Sequence, residues 1–448
     1  MPDMPHQAAT RAPHVTRAAR ARRPATLLTG LAVTALLGTA LAAPASAAPP
    51  QAPGAAAPAC SAAYQIEQTL DGGTTWRMCW HYNTLSGLVL DDVSYQPKSE
   101  AAPISVLTSA RLAQVHVPYD DGENEYDDIT GTDFGLALQK LRPAECPGGT
   151  IKTVKVPDMG DVQGLCATTR ARGHAYRLND DESTGGSGKL YSAQGKDLLV
   201  YTVNKASWYE YITEWRFSSD GTITSNVGAT GSLSPYDYKG TDGKGWPIGK
   251  GATAYAESHS HNVFWRLNFG LDGSTKSKVE QYDSTVTPPA GSGSPKTKTT
   301  RTPVTKELAG DVKDMRWWRV VSTAGKNTDG HPRSYEFVPG RSSKFPGRSF
   351  TKHDVYFTEY KKCEQYASDN PAANCGGTSV DKWVSGQTLK HPITWVNIGF
   401  HHIARDEDQQ PMPVHWQGFS LAPRDVTAMN PLTPADLAGQ NGVPGNGS

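Results

Sequence analysis

The sequence predicts an all-β protein in which a single large sandwich takes up most of the chain. Three observations lead there. Short runs alternate apolar and polar residues with a period of two, as half-buried strands do. The chain's 44 Gly and 32 Pro supply turn signals between those runs. No segment carries a long helical apolar stripe or an internal repeat, and neither half has an obvious core of its own.

The strand-like runs begin near Tyr64. "GLVLDDVSYQP" and "ISVLTSARLAQVHVPY" come first. "DLLVYTVNKASWYEYITEWRFSSDGTITSNV" and "AYAESHSHNVFWRLNFGLDGS" follow, with turns at Ser219-Asp220-Gly221 and Asp272-Gly273. Asp283 to Pro303 is polar and rich in Pro, Gly and Thr, and reads as a mobile excursion. Strand patterns resume in "RWWRVVS", "SYEFVPG", "HDVYFTEY" and "ITWVNIGFHHIA".

The first 47 residues read as a secretory signal peptide. Arg11, Arg17, Arg20, Arg22 and Arg23 precede an apolar run from Leu27 to Leu41, and "APASAAPP" offers a cleavage site after Ala47. Arg22-Arg23 leaves a twin-arginine route open. Residues 48–60 read as a Pro/Ala-rich linker, 61–440 as one domain and 441–448 as a disordered tail. No other apolar run is long enough to span a bilayer as a helix. Without residues 1–47 the 44 basic and 44 acidic residues become 39 and 43, a net charge of −4. That balance calls for neither nucleic acid nor a membrane surface as partner. Six cysteines in an exported chain imply disulfides. Their spacing favours Cys60/Cys79, Cys146/Cys166 and Cys363/Cys375 among the 15 connectivities that six cysteines allow. No CxxC motif supports a thiolate zinc site.

The chemistry concentrates in two strands. In "ASWYEYITEWRF" a period of two puts Tyr209, Tyr211, Thr213, Trp215 and Phe217 on the buried face, and Trp208, Glu210, Glu214 and Arg216 on the other. In "ESHSHNVFWRL", His259 and His261 share a face with Tyr255, Glu257, Val263, Trp265 and Leu267. Two adjacent imidazoles in apolar surroundings are costly without a common partner, and a divalent metal is one such partner. "TWVNIGFHHIARDEDQQPMP" offers a third ligand. His402 lies on its more apolar face, although His401 and His402 also read as ordinary strand-end residues beside Asp406-Glu407-Asp408.

Together these segments resemble the copper-containing, quinone-dependent amine oxidases. The similarity runs from about Gly87 to Ala438 and follows the order and spacing of that family's catalytic domain. "IGFHHIARDEDQQPMPVHWQGFSLAPRDVTAMNP" is its most specific stretch. The smaller N-terminal domains of many members have no counterpart among these segments. The resemblance implies a large β-sandwich of the copper amine oxidase catalytic-domain type and a homodimer. It also implies oxidation of a primary amine by dioxygen to an aldehyde, ammonia and hydrogen peroxide. In that family copper and dioxygen convert the tyrosine of a T-x-x-N-Y-D/E motif to topaquinone, and an aspartate takes the α-proton of the amine. Carried over, Tyr209 becomes the cofactor precursor and His259, His261 and His402 the copper ligands. Tyr119, in "VPYD", matches a tyrosine of the family's "VPYG".

Several positions depart from the family pattern. Lys205 stands where the motif has Thr, and Trp208 where it has Asn. Counted back from Gly135 without gaps, the proton-abstracting aspartate falls on Thr130. With small insertions Asp128 is the best substitute, followed by Asp127. Aspartates of a second, calcium-like site fall on Asn268, Gly270 and His391, and Glu407-Asp408-Gln409-Gln410-Pro411 carries an extra Gln. These changes keep alive an alternative: a catalytically impaired, secreted binding or structural module on the same fold. A third reading is an exported metal or carbohydrate binder that uses Trp208, Trp215, Trp317 and Trp318 as stacking surfaces.

Overall fold

The alternating runs form strands because their β-branched and aromatic residues pack well on a pleated, half-buried surface. A computed structural model describes residues 60–184, 186–235, 245–291 and 293–437. The expected signal peptide, linker and tail lie outside these residues, apart from Cys60. The strands are β1 (Gln65–Thr69), β2 (Thr75–Asn83), β3 (Gly87–Gln96), β4 (Ile104–Pro118), β5 (Glu125–Asp127), β6 (Thr150–Val156), β7 (Gly160–Asn179), β8 (Leu190–Ala206), β9 (Tyr209–Ser218), β10 (Ile223–Gly231), β11 (Trp246–Ile248), β12 (Ala254–Ala256), β13 (His259–Phe269), β14 (Ser277–Thr287), β15 (Lys296–Val304), β16 (Leu308–Gly310), β17 (Trp317–Lys326), β18 (Pro332–Pro339), β19 (Val355–Glu359), β20 (Pro392–His402) and β21 (Met412–Arg424). Two four-residue α-helices, α1 (Asp128–Gly131) and α2 (Val380–Trp383), are the only α-helical elements among the described residues.

Two large antiparallel sheets make the sandwich. The nine-stranded sheet runs β1-β2-β3-β4-β13-β20-β19-β16, with β5 also paired to β4. The ten-stranded sheet runs β15-β14-β17-β18-β21-β10-β9-β8-β7-β6, and β11 and β12 form a separate ribbon. One continuous core draws on both sheets: Trp76 and Trp265 come from the first, Trp215, Phe217 and Trp318 from the second. A hydrogen bond also crosses between them, from Trp76 Nε1 to the Ser218 carbonyl at 2.9 Å. Every residue of β13 is buried, so the strand in the middle of the first sheet is covered on both faces.

The three nearest-neighbour disulfides are all present. Asp283 to Pro303 departs from expectation. It is largely the β14–β15 hairpin, paired from Val279↔Val304 to Thr287↔Lys296. Its Thr residues favour strand, while its Lys and Arg side chains suit an edge strand open to water. β15 has no apolar face for a periodicity argument to detect. Trp215 and Trp318 are fully buried, which removes them as stacking surfaces; Trp317 lies against Tyr282 with ring centroids 3.9 Å apart.

Candidate active site and metal centre

β13 and β20 pair in a register that sets His259 opposite His402 and Val263 opposite Ile398. Side chains alternate faces, so His259, His261 and His402 project to one side of the sheet. The end of β4 closes the same corner through a bridge between Tyr119 and His259. From the facing sheet, β9 presents Tyr209 and Tyr211, both buried. The structure thus brings together the six residues that the sequence singled out: Tyr209, Asp128, Tyr119 and the three histidines.

One ligand atom from each of the three imidazoles lies within 4.8 Å of the others. Each ring has one nitrogen turned outward. His402 Nε2–H donates to Asp408 Oδ2 at 2.9 Å, and His261 Nδ1 lies 3.1 Å from the Tyr211 oxygen. His259 Nδ1 faces the Glu257 carbonyl at 3.5 Å. The remaining nitrogens point inward. The Tyr209 hydroxyl meets two of them, 2.7 Å from His259 Nε2 and 3.0 Å from His402 Nδ1. The third, His261 Nε2, is buried with no hydrogen-bond partner.

A buried orphan nitrogen beside two like imidazoles fits a divalent transition ion. Metal–imidazole bonds of about 2.0–2.1 Å place ligand nitrogens roughly 3.3–4.2 Å apart, so only a small contraction is needed. Burial, reinforced by His402, lowers the His259 pKa to about 3; burial, then His259, pushes His261 well below the usual value. Both are therefore neutral near pH 7, the form that ligates metal. Asp408 resists its own burial. Hydrogen bonds and charge from His402 and Arg405 outweigh desolvation and hold its carboxyl below the ordinary range.

The two tyrosines of β9 stack, with centroids 5.7 Å apart and planes 14° apart. The Tyr211 hydroxyl donates to Asp128 Oδ2 at 2.8 Å. Asp128 is the first residue of α1, and burial raises its pKa to about 7, partly opposed by the Tyr211 hydrogen bond. Asp127 is engaged elsewhere, 2.8 Å from His116 Nδ1 and accepting from Ser368 Oγ at 2.9 Å. Thr130 Oγ1 accepts from Gln114 Nε2 at 2.9 Å. On the other flank, Tyr119 stacks on His259 with centroids 4.7 Å apart. Its hydroxyl accepts from Trp208 Nε1 at 3.1 Å, and Tyr126 meets Trp208 edge-on at 5.9 Å. A cavity of about 250 Å³, lined by Tyr209, His402, Phe400, Asp408 and Met412 among others, reaches the centre from outside.

Sequence reasoning did not find the parts played by Tyr211 and Asp408. For Tyr211 the signal was present, since it lies two residues from Tyr209 on the same strand face. For Asp408 the acidic run was visible, but its return onto His402 was not. At the calcium-like positions, where the family's aspartates are replaced in this sequence, His391 Nε2 lies 2.7 Å from Asn268 Oδ1.

The sequence model of the family "Copper amine oxidase, enzyme domain" matches residues 74–437. The chain belongs to the copper amine oxidase family. Members use copper and a quinone made from a tyrosine, and the family's chemistry is amine oxidation. Among curated relatives, a histamine oxidase of Arthrobacter globiformis is 26% identical over 411 residues, covering 82% of this chain and 58% of the relative. Primary amine oxidase 2 of Arabidopsis thaliana is 25% identical over 403 residues, covering 81% and 58%. Copper amine oxidase 1 of Schizosaccharomyces pombe is 24% identical over 407 residues, covering 80% and 55%. The chain thus spans little more than half the length of these relatives. A crystal structure of a copper-containing benzylamine oxidase from Hansenula polymorpha shares the fold, with a TM-score of 0.68 and 21% identity. The match covers 82% of this chain and 62% of that one.

Proposed function

We propose that this protein is an exported, homodimeric oxidase that converts a primary amine to an aldehyde, ammonia and hydrogen peroxide, with dioxygen as oxidant. The observation that carries the reading is the Tyr209 hydroxyl, 2.7 Å and 3.0 Å from the inward nitrogens of His259 and His402. His259, His261 and His402 are the residues that would hold copper. Copper with dioxygen supplies the oxidation of a tyrosine ring to a quinone, and the quinone supplies the oxidation of the amine.

The chain's own residues prepare that chemistry. The three imidazoles offer one inward nitrogen each and leave positions open. Tyr209 is the precursor ring, held in a buried corner between the sheets. Tyr119 walls one side, its ring stacked on His259 and its hydroxyl bonded to Trp208. Asp128 is the proton acceptor for the α-carbon. Burial gives it a pKa near the working pH, which is where a general base is most effective.

The purified chain, treated with copper and oxygen, is expected to become coloured and to stain for quinone. Tyr209→Phe abolishes the colour. At saturating copper, Asp128→Asn forms the quinone but releases no peroxide from amines. Colourless copper-loaded protein with an unmodified Tyr209 mass would overturn the reading. That outcome would instead support the impaired-module alternative, which the Trp208 indole bonded to Tyr119 at 3.1 Å favours. Export predicts a mature N-terminus near residue 48, checked by mass spectrometry of secreted protein.

A further inference from the structure

The residues around the metal centre include one side chain to which the proposed chemistry gives no task. Tyr211 is fully buried, and its hydroxyl makes two contacts only among those described: Asp128 Oδ2 at 2.8 Å and His261 Nδ1 at 3.1 Å. The Tyr211 hydroxyl donates to Asp128, so its proton lies toward that carboxyl. The phenol oxygen is then free to accept, and His261 must put its proton on Nδ1. That choice strips Nε2 of hydrogen and leaves its lone pair facing the other two imidazoles. His261 Nε2 is the orphaned buried nitrogen of the centre.

We infer that Tyr211 is a positioning residue that relays the Asp128 carboxylate to His261, fixing the imidazole in its metal-accepting tautomer. The inference rests on the three-histidine metal centre proposed above. It gives Asp128 a second task, since the proton acceptor and the metal ligand become parts of one hydrogen-bonded unit. It also accounts for the tyrosine two residues beyond Tyr209. A strand places residues i and i+2 on one face, so one ring can reach His259 and His402 while the next reaches His261. Outer partners of this kind change metal affinity by about 10–100-fold when removed.

Zinc gives a test that does not depend on quinone formation, because Zn²⁺ is redox-inert and accepts the same imidazoles. Zn²⁺ affinity is measured by competition with a chelating dye on the metal-free full chain, for wild type, Tyr211→Phe, Asp128→Asn and the double variant. Tyr211→Phe keeps the ring stack and removes only the hydroxyl, and thermal unfolding of the metal-free forms confirms that each variant is folded. The expected result is a loss of 10- to 100-fold in Tyr211→Phe, a loss no larger in Asp128→Asn, and a double variant no weaker than Tyr211→Phe alone. This non-additivity is what a relay requires, whereas two independent structural contributions would multiply. Copper-loaded Tyr211→Phe should also show altered nitrogen hyperfine couplings in its paramagnetic resonance spectrum. Wild-type affinity in Tyr211→Phe, or losses that multiply in the double variant, would overturn the relay while leaving the metal centre intact. A wild-type chain that takes up no Zn²⁺ at micromolar concentration would overturn the centre itself, and the relay with it.

Discussion

Asp128 carries the sharpest pH dependence that can be read from a single residue. Its carboxyl is buried, and desolvation lifts its pKa to about 7; the Tyr211 hydrogen bond and His116 pull down, and Asp127 pushes up. The folded value lies above the unfolded one, so the folded state favours the protonated acid. Stability from this group is therefore fully present below the unfolded value of about 3.8 and is lost as pH rises through about 7, by at most on the order of 4 kcal/mol. Activity runs the other way, because a base must be ionised to accept a proton. Peroxide release should climb through pH 7, while the unfolding free energy of metal-free protein falls between pH 5 and pH 8. In Asp128→Asn the fall in stability should largely disappear, as followed by denaturant titration at the two pH values. An equal fall in both proteins would remove Asp128 as its source. The sequence left Asp128 and Asp127 both open. What separates them is where α1 begins. Asp128 at its first position turns toward Tyr211, whereas Asp127 at the end of β5 turns toward His116 and Ser368. No periodicity argument resolves a four-residue helix in a polar loop.

At the scale of elements, the pairing of β13 with β20 decides the site. A slip of one residue would send His402 to the opposite face. Gly399 helps to hold this register. Its carbonyl accepts from the Ser343 amide at 2.7 Å and from Gln417 Nε2 at 2.9 Å. A Cβ at position 399 would stand 2.4 Å from the Lys344 Cα, so the crossing segment lies directly on the strand. Gly399→Ala must push that backbone away, at a cost of about 1–3 kcal/mol as in other overpacked interiors. Because His402 lies three residues along the same strand, metal affinity should fall with stability. Unchanged denaturant midpoints and zinc affinity would show that the segment yields freely. Individual strands were legible in the sequence wherever one face was apolar, as in β3, β4, β9 and β20. β15 was missed because Thr, Lys and Arg leave it no apolar face, and the sheet order is not written in any single strand's pattern. The H-x-H of β13 and the His-His of β20 are about 140 residues apart in the chain. Their meeting was legible only through the family resemblance.

At the scale of the molecule, the candidate centre lies between the two layers. His259, His261 and His402 belong to the nine-stranded sheet, and Tyr209 and Tyr211 to the ten-stranded one. A period of two identifies the inward face of each sheet but not what it faces, so the approach of Tyr209 to the three histidines was legible only through the family resemblance, and the Trp208–Tyr119 bond lay beyond sequence reading. The position has an energetic consequence. An ion held by His259 and His261 of β13 and His402 of β20 binds the native pairing of these two strands and loses its site when they separate on unfolding. Binding then stabilises the fold by mass action, by about 2.7 kcal/mol when free metal is 100 times its dissociation constant. Zn²⁺ should raise the guanidinium midpoint of the wild-type chain accordingly. His259→Ala should abolish the shift, because it removes a ligand and leaves the Tyr209 hydroxyl with His402 alone among the three histidines. His401→Ala should keep the shift, since that ring is exposed and bonded to Asp120 at 2.8 Å. A midpoint gain that survives in His259→Ala would mean that zinc acts elsewhere on the surface and not at the three histidines.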